Sequence, residues 1–202
     1  MTAAIDRVCV AIAGDGCAVE VDFLPRATVS ALADEARARD AAGGFHPAGV
    51  GRGAAHVQQS DVRGDRILWL DEISASPIEK PFWQALDALR LALNATLQLG
   101  LFSFEAHYAL YPAGASYRRH LDRFRGDAAM VDARVISCAI YLNQDWILAD
   151  GGALRIYEGE QVRDVLPAAG TLVCFLSDRF EHEVLPATRE RLALTGWFRR
   201  RA

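Results

Sequence analysis

The chain has 202 residues, 51% of them hydrophobic and 24% charged. That is the composition of one globular domain with a sizeable interior; it leaves no room for a second large domain and little for a long disordered tail. A formal net charge of −4 gives no whole-molecule attraction for polyanions, so neither nucleic acid nor a membrane is an expected partner.

Met1 to Ala13 carries Asp6 and has no basic head followed by a long apolar stretch, so it does not read as a signal peptide. No run approaches the roughly 18 apolar residues of a bilayer span, and the expected location is cytoplasmic. Cys9, Cys17, Cys138 and Cys174 lack a paired metal-ligand spacing and are expected as free thiols. Cys17 to Leu24 reads as a strand. A helix then runs to about Ala41, capped by Thr28, stopped by Gly43-Gly44, and packed through Val29, Leu32, Ala33 and Ala36. Gly43 to Gly64 has neither periodicity and reads as a long loop, the length at which loops tend to be functional. A second helix spans Pro81 to Leu99, with Leu86, Leu89, Leu93 and Leu97 on one stripe and Gly100 ending it. From Phe102 the period becomes two, with Phe104, Ala106, Tyr108 and Leu110 alternating with Ser103, Glu105 and His107. Strand-like runs follow at Arg134–Leu142, Ala153–Tyr157, Thr171–Phe175, His182–Leu185 and Arg191–Phe198. Many short strands after two helices predict a barrel or jelly roll flanked by helices.

In His120-Leu121-Asp122 two potential ligands are separated by one residue, so an extended backbone projects both from one face. His182, at the start of a late strand, is placed where a barrel returns a third ligand to them. Two histidines and a carboxylate on one octahedral face leave three positions open, the arrangement of non-haem Fe(II) oxygenases. The pair alone is weak, since His-x-Asp is commonly a surface or capping feature and zinc accepts the same ligands. In the last strand, alternation puts Arg191, Ala193, Thr195 and Trp197 on one face and Leu192, Leu194 and Phe198 on the other. An inward Arg191 needs a partner, which a dicarboxylate would supply; the alternative is a strand-end arginine in water.

Five further stretches carry a resemblance: YPAGASYRRHLD (Tyr111–Asp122), ISCAIYLNQDW (Ile136–Trp146), GGALRIY (Gly151–Tyr157), FLSDRFEHEV (Phe175–Val184) and RLALTGWF (Arg191–Phe198), with SDVRGDRILWL (Ser60–Leu70) upstream. They resemble the 2-oxoglutarate/Fe(II)-dependent dioxygenases, specifically the prolyl 4-hydroxylases of the hypoxia-inducible-factor type and their bacterial relatives. The resemblance reaches back to about Gly14. It implies a double-stranded β-helix forming a single domain over residues 1–202, with a helical support region at about 14–100 and a catalytic barrel at about 101–199. It implies His120, Asp122 and His182 as Fe(II) ligands and Arg191 as the partner of the distal 2-oxoglutarate carboxylate. Tyr141 would donate to that carboxylate, Tyr111 and Thr195 would line the cosubstrate pocket, and Tyr117, Arg134 and Trp197 would contact substrate. Core packing for Tyr141 and Trp197, and a rim position for Arg134, are the structural alternatives. His46, His56, His107, Asp127, Asp132 and Asp150 match no ligand role and read as loop or surface residues; Arg63-Gly64-Asp65 reads as a turn leading into a strand.

The implied reaction couples decarboxylation of 2-oxoglutarate, to succinate and carbon dioxide, to hydroxylation of a protein-bound proline at C4. Dioxygen is the second cosubstrate, and ascorbate the accompanying reductant. An elongation factor of the Tu type is the partner implied for a bacterial member. Two stretches, Tyr111–His120 and the loop before His182, look about one residue shorter than in the animal enzymes, which bears on substrate choice and not on the metal. The rivals are the same chemistry on a small molecule or free amino acid, a zinc hydrolase, and a metal-free jelly-roll binding module.

Overall fold

The computed structural model describes residues 2–49, 62–123 and 133–201. Three helices precede most of the strands: α1 (Thr2–Gly14), α2 (Arg26–Ala41) and α3 (Lys80–Leu97). Strands β1 (Cys17–Glu20), β2 (His46–Pro47) and β3 (Arg66–Leu70) lie among them. The later strands are β4 (Leu101–Tyr111), β5 (Tyr117–His120), β6 (Ala133–Tyr141), β7 (Leu154–Glu158), β8 (Gln161–Val165), β9 (Leu172–Leu176), β10 (Glu181–Val184) and β11 (Arg191–Arg200). No helix among the described residues is long and apolar enough to cross a membrane.

Helix α1 is absent from the sequence expectation, although Ala4, Ile5, Val8, Cys9 and Ile12 recur at helical spacing and are buried. The helical spacing of these apolar residues is the cue the sequence carries. Helix α2 begins two residues before Thr28, which is therefore not its cap. Pro25 holds the N-cap position without a side-chain hydrogen bond, and its carbonyl already accepts from the Val29 N–H at 3.0 Å. The predicted stop holds: Gly43 takes a left-handed φ of 78°, and the Gly44 N–H reaches the Arg39 carbonyl at 2.9 Å. Helix α3 ends at Leu97, two residues before the Leu99 expected. Gln98 adopts the left-handed cap (φ 52°), and the Asn94 amide clamps both the N–H and the C=O of Leu101, so the chain must leave the helix there.

The loop expected at Gly43–Gly64 contains a short strand, β2, paired antiparallel with β3; residues 50–61, with His56, lie outside the described residues, as do Asp127 and Asp132. Strand β8 was also missed. Four of its five residues are exposed, so no alternation marks it; it pairs with β7 as a hairpin.

The strands form two antiparallel sheets, ordered β1-β9-β6-β11-β4-β3-β2 and β5-β10-β7-β8. One face of the larger sheet, including Tyr108, Leu110, Ile136, Cys138, Ile140, Cys174, Leu192, Leu194 and Phe198, packs against the helices. The opposite face, with Ala109, Tyr111, Tyr141, Val173, Phe175 and Ala193, closes on Leu154, Ile156, Val165 and Val184 of the smaller sheet. This is the jelly-roll layering predicted, with helices outside one sheet and the interior cavity between the two. All four cysteines are free and buried, and Cys138 and Cys174 face each other on paired strands with their sulfurs 2.9 Å apart.

Candidate functional site

His120 and His182 are directly opposite each other on the antiparallel pair β5 and β10. Asp122 does not share a strand face with His120 as expected, because β5 ends at His120 and the chain bends over the next residues. The bend still delivers the carboxylate: Asp122 Oδ1 lies 3.7 Å from His120 Nε2 and Oδ2 lies 3.6 Å from His182 Nε2. Candidate ligand atoms of the three residues all lie within 4.8 Å of one another. His120 Nδ1 donates to the Arg118 carbonyl at 2.7 Å and His182 Nδ1 to the Phe180 carbonyl at 3.2 Å. A carbonyl can only accept, so both rings hold the Nδ1–H tautomer. Each Nε2 therefore keeps its lone pair for the centre of the group, the orientation a metal-binding imidazole needs.

The pairing of β5 with β10 is irregular: between His182 and Val184, two residues apart, β5 advances three, from His120 to Tyr117. The extra residue is a bulge, which breaks strict alternation and lets Tyr117 and His120 face the cavity together. Their rings stack at 3.7 Å, and Phe175 packs on His182 at 4.7 Å.

Ser137 on β6 donates to Asp122 Oδ2 at 2.6 Å and exchanges a second bond with Ser177 at 2.9 Å. These hydroxyls aim the carboxylate and were not singled out in the sequence. Changing Ser137 to Ala is expected to weaken divalent-metal affinity by about 10- to 100-fold, the usual effect of removing a group that orients a ligand. Titrating the metal-free variant with Fe(II) or Mn(II) under anaerobic conditions measures it.

Burial works against ionisation of Asp122, but His182, His120 and the Ser137 hydroxyl hold its carboxyl well below the usual carboxylate range. Burial pushes the His182 imidazole down to about 4, against the pull of Asp122, and holds the buried His107 well below its ordinary value, assisted by Arg63 and Arg134. Both rings are thus neutral when folded but take protons below about pH 6.5 when unfolded. The unfolded state binds more protons in that window, so stability of the metal-free protein is expected to fall as the pH drops from about 6.5 toward 4. Asp122 does not offset this, since its stabilising contribution is fully present above about pH 4 and is lost only below it. Thermal melting across that range is the measurement.

At the other end of the cavity Arg191 begins β11. It is 3% exposed, and its Nε donates to the Gly152 carbonyl at 2.9 Å. Gly152 permits that approach: a side chain there would sit 2.9 Å from Ala187 and 3.4 Å from Arg191 itself. Among the described residues no carboxylate pairs with this guanidinium, which lies 5.1 Å from the Tyr111 ring and 5.0 Å from the Tyr141 ring. The Tyr141 hydroxyl is buried without a partner, and burial raises its pKa to about 12 although Arg191 pulls it down. A buried unpaired cation beside an orphaned donor is a receptacle for a carboxylate.

Near the triad, the Arg134 guanidinium lies 3.4 Å from the Trp197 ring centroid and is held by Glu105 at 2.8 Å. Arg63 stacks on Tyr117 at 4.8 Å and makes two hydrogen bonds to the buried Asp65, at 2.6 and 2.8 Å. All ten residues singled out in the sequence, namely His120, Asp122, His182, Arg191, Tyr141, Tyr111, Thr195, Tyr117, Arg134 and Trp197, line one cavity. Arg63 and His107 line it too. Arg63 was read only as part of a turn. His107 is a correction: it is 1% exposed, not on the surface. The reading failed because the apolar alternate residues of β4 face the helices, which leaves the polar set facing the cavity rather than water. His46 is exposed as expected, and Asp150 sits in a 3-10 turn where its carboxylate accepts the Ile147 N–H at 2.9 Å.

Residues 106–199 match the 2OG-Fe(II) oxygenase superfamily model. A solved prolyl-4-hydroxylase from Pseudomonas putida is 48% identical, with a TM-score of 0.86, covering 98% of this chain and 100% of that one. A prolyl hydroxylase from Trichoplax adhaerens, solved in complex with a hypoxia-inducible factor oxygen degradation domain peptide fragment, is 26% identical with a TM-score of 0.84, covering 96% of this chain and 88% of that one. Egl nine homolog 1 of Rattus norvegicus is 34% identical over 201 residues, covering 91% of this chain and 55% of the relative. The chain thus spans about half the length of these curated relatives.

Proposed function

Because this chain belongs to the 2OG-Fe(II) oxygenase superfamily, within its prolyl hydroxylase branch, we propose that it hydroxylates a prolyl residue of a protein substrate at C4. Its proposed metal ligands are His120, Asp122 and His182. The observation that carries the reading is the cavity's second end, where buried Arg191 and the orphaned Tyr141 hydroxyl face the same space as the triad. A zinc hydrolase has no use for that receptacle, and a binding module has no use for two histidines of fixed tautomer converging on a carboxylate.

Bound Fe(II), with 2-oxoglutarate and dioxygen, would supply the oxidising chemistry, giving succinate, carbon dioxide and the hydroxylated carbon. The chain supplies position and exclusion of water. Arg191 receives the distal carboxylate of 2-oxoglutarate through its remaining N–H groups, Tyr141 donates its hydroxyl to the same carboxylate, and Tyr111 and Thr195 wall the cosubstrate. Tyr117, Trp197 and Arg134 hold the substrate segment over the metal end of the cavity. Arg134 is positioned for this by Glu105, and the bulge in β5 turns Tyr117 inward.

The Tu-type elongation factor is the first protein partner to try, an expectation resting on the resemblance; ascorbate is included as reductant on the same ground, and a cytoplasmic location is consistent with both. Purified protein is incubated with Fe(II), 2-oxoglutarate, ascorbate and cell lysate, and separately with purified elongation factor Tu. New oxidised prolines are then sought by mass spectrometry. A proline gaining one oxygen only when 2-oxoglutarate and the intact triad are present supports the reading. Succinate release on a small molecule with no modified protein would overturn the substrate and leave the cofactor chemistry standing.

A further inference from the structure

His107 is a polar pocket residue that the proposed reaction leaves without a task. It projects from the middle of β4, directly opposite Trp69 on β3 and Thr195 on β11, and directly opposed residues share a face of the sheet. Its ring is 1% exposed, and neither nitrogen has a hydrogen-bond partner. Trp69 at 4.8 Å and Trp197 at 5.5 Å between ring centroids close on it from two sides, so it has no route outward to water. Trp197 is fixed in turn under Arg134, and its indole N–H is likewise buried and unpartnered. Orphaned buried polar atoms are uncommon because each forgoes its hydration without recompense. Phenylalanine would pack between the same two tryptophans without that cost. The presence of an imidazole here points to a ligand that meets it.

The chemistry of the wall says which kind. Kept neutral by burial, the imidazole offers one donor and one acceptor. With the indole N–H beside it, the wall presents donors and an acceptor together, the complement of a peptide group. A keto dicarboxylate could use only donors and has Arg191 and Tyr141 elsewhere in the cavity. We propose that His107, together with the Trp197 indole N–H, is a specificity-determining subsite that hydrogen-bonds the main-chain amide of the substrate residue adjoining the target proline. This rests on the protein-prolyl reading above.

His107→Phe keeps the aromatic packing and removes both hydrogen-bonding atoms; His107→Gln restores a donor and an acceptor. The probe is lysate protein stripped of small molecules, titrated as substrate, with the initial rate of proline oxidation read by mass spectrometry. The 2-oxoglutarate dissociation constant is measured in parallel on each Mn(II)-loaded protein by calorimetry, a readout independent of turnover. The expected result is a KM for protein substrate raised at least tenfold in His107→Phe, a smaller change in kcat, 2-oxoglutarate affinity within about twofold of wild type, and partial recovery of KM in His107→Gln. Unchanged KM in His107→Phe would overturn the proposal. So would an equal loss of 2-oxoglutarate affinity, which would assign His107 to the cosubstrate. If the wild type itself oxidises no protein proline, the reading beneath falls and the subsite with it, an outcome distinguishable because it appears before any variant is compared.

Discussion

Changing His120 to Ala is expected to abolish both stoichiometric iron binding and 2-oxoglutarate turnover. The remaining pair, Asp122 and His182, approaches to 3.6 Å, but two ligands cannot hold the facial geometry that leaves three adjacent positions for cosubstrates. The loss compounds because His120 also anchors its neighbours: it stacks on Tyr117 and stands opposite His182 in the sheet. Iron content by atomic absorption and succinate release are the two measurements. Full activity with one iron per chain would remove His120 from the metal site. Thermal melting of the metal-free variant separates loss of the ligand from loss of the fold, and only a small shift is expected, since the side chain is partly exposed.

The second large effect is expected at Arg191. Replacement by Leu should raise the KM for 2-oxoglutarate by about 30-fold or more, because removing one member of a desolvated charge pair costs about 2–5 kcal/mol, and 1.4 kcal/mol is tenfold in affinity. Lysine should not rescue it fully. A single ammonium cannot reproduce a planar fork that donates to Gly152 through Nε while keeping further N–H groups for a carboxylate. Steady-state kinetics with 2-oxoglutarate varied, and calorimetry on the Mn(II)-loaded variant, test the same point in two ways. An unchanged requirement would place the distal carboxylate elsewhere.

Much of this architecture was legible in the sequence, and the misses share causes. The strands from β4 onward announced themselves by alternation wherever one face was apolar. Strands β5 and β8 did not: β5 reads Tyr-Arg-Arg-His, and four of the five residues of β8 face water, so no contrast marks either. Helix ends were displaced where a side chain intervened: the Asn94 clamp on Leu101 ends α3 before the glycine that composition favours. At the site, residue types with few structural uses were found: His120, Asp122, His182 and the inward Arg191. Residues whose role depends on what lies across the cavity were missed. Ser137 is an ordinary strand serine until Asp122 stands 2.6 Å away, and His107 looked solvated because polar alternation on a strand usually means water. Here it means an interior.

The bulge in β5 has a consequence for which changes the protein can absorb. Between Tyr117 and His120 lie two residues, and Arg118 among them is exposed. What matters there is the course of the backbone more than the kind of side chain. Many side chains could stand at Arg118 with little harm, yet a change that straightened the bulge while keeping two residues between the rings would restore regular alternation and turn either Tyr117 or His120 out of the cavity. Such a change would leave every proposed ligand in the sequence and dismantle the arrangement they make, so the irregularity between these two rings is as much a part of the inheritable site as the rings themselves.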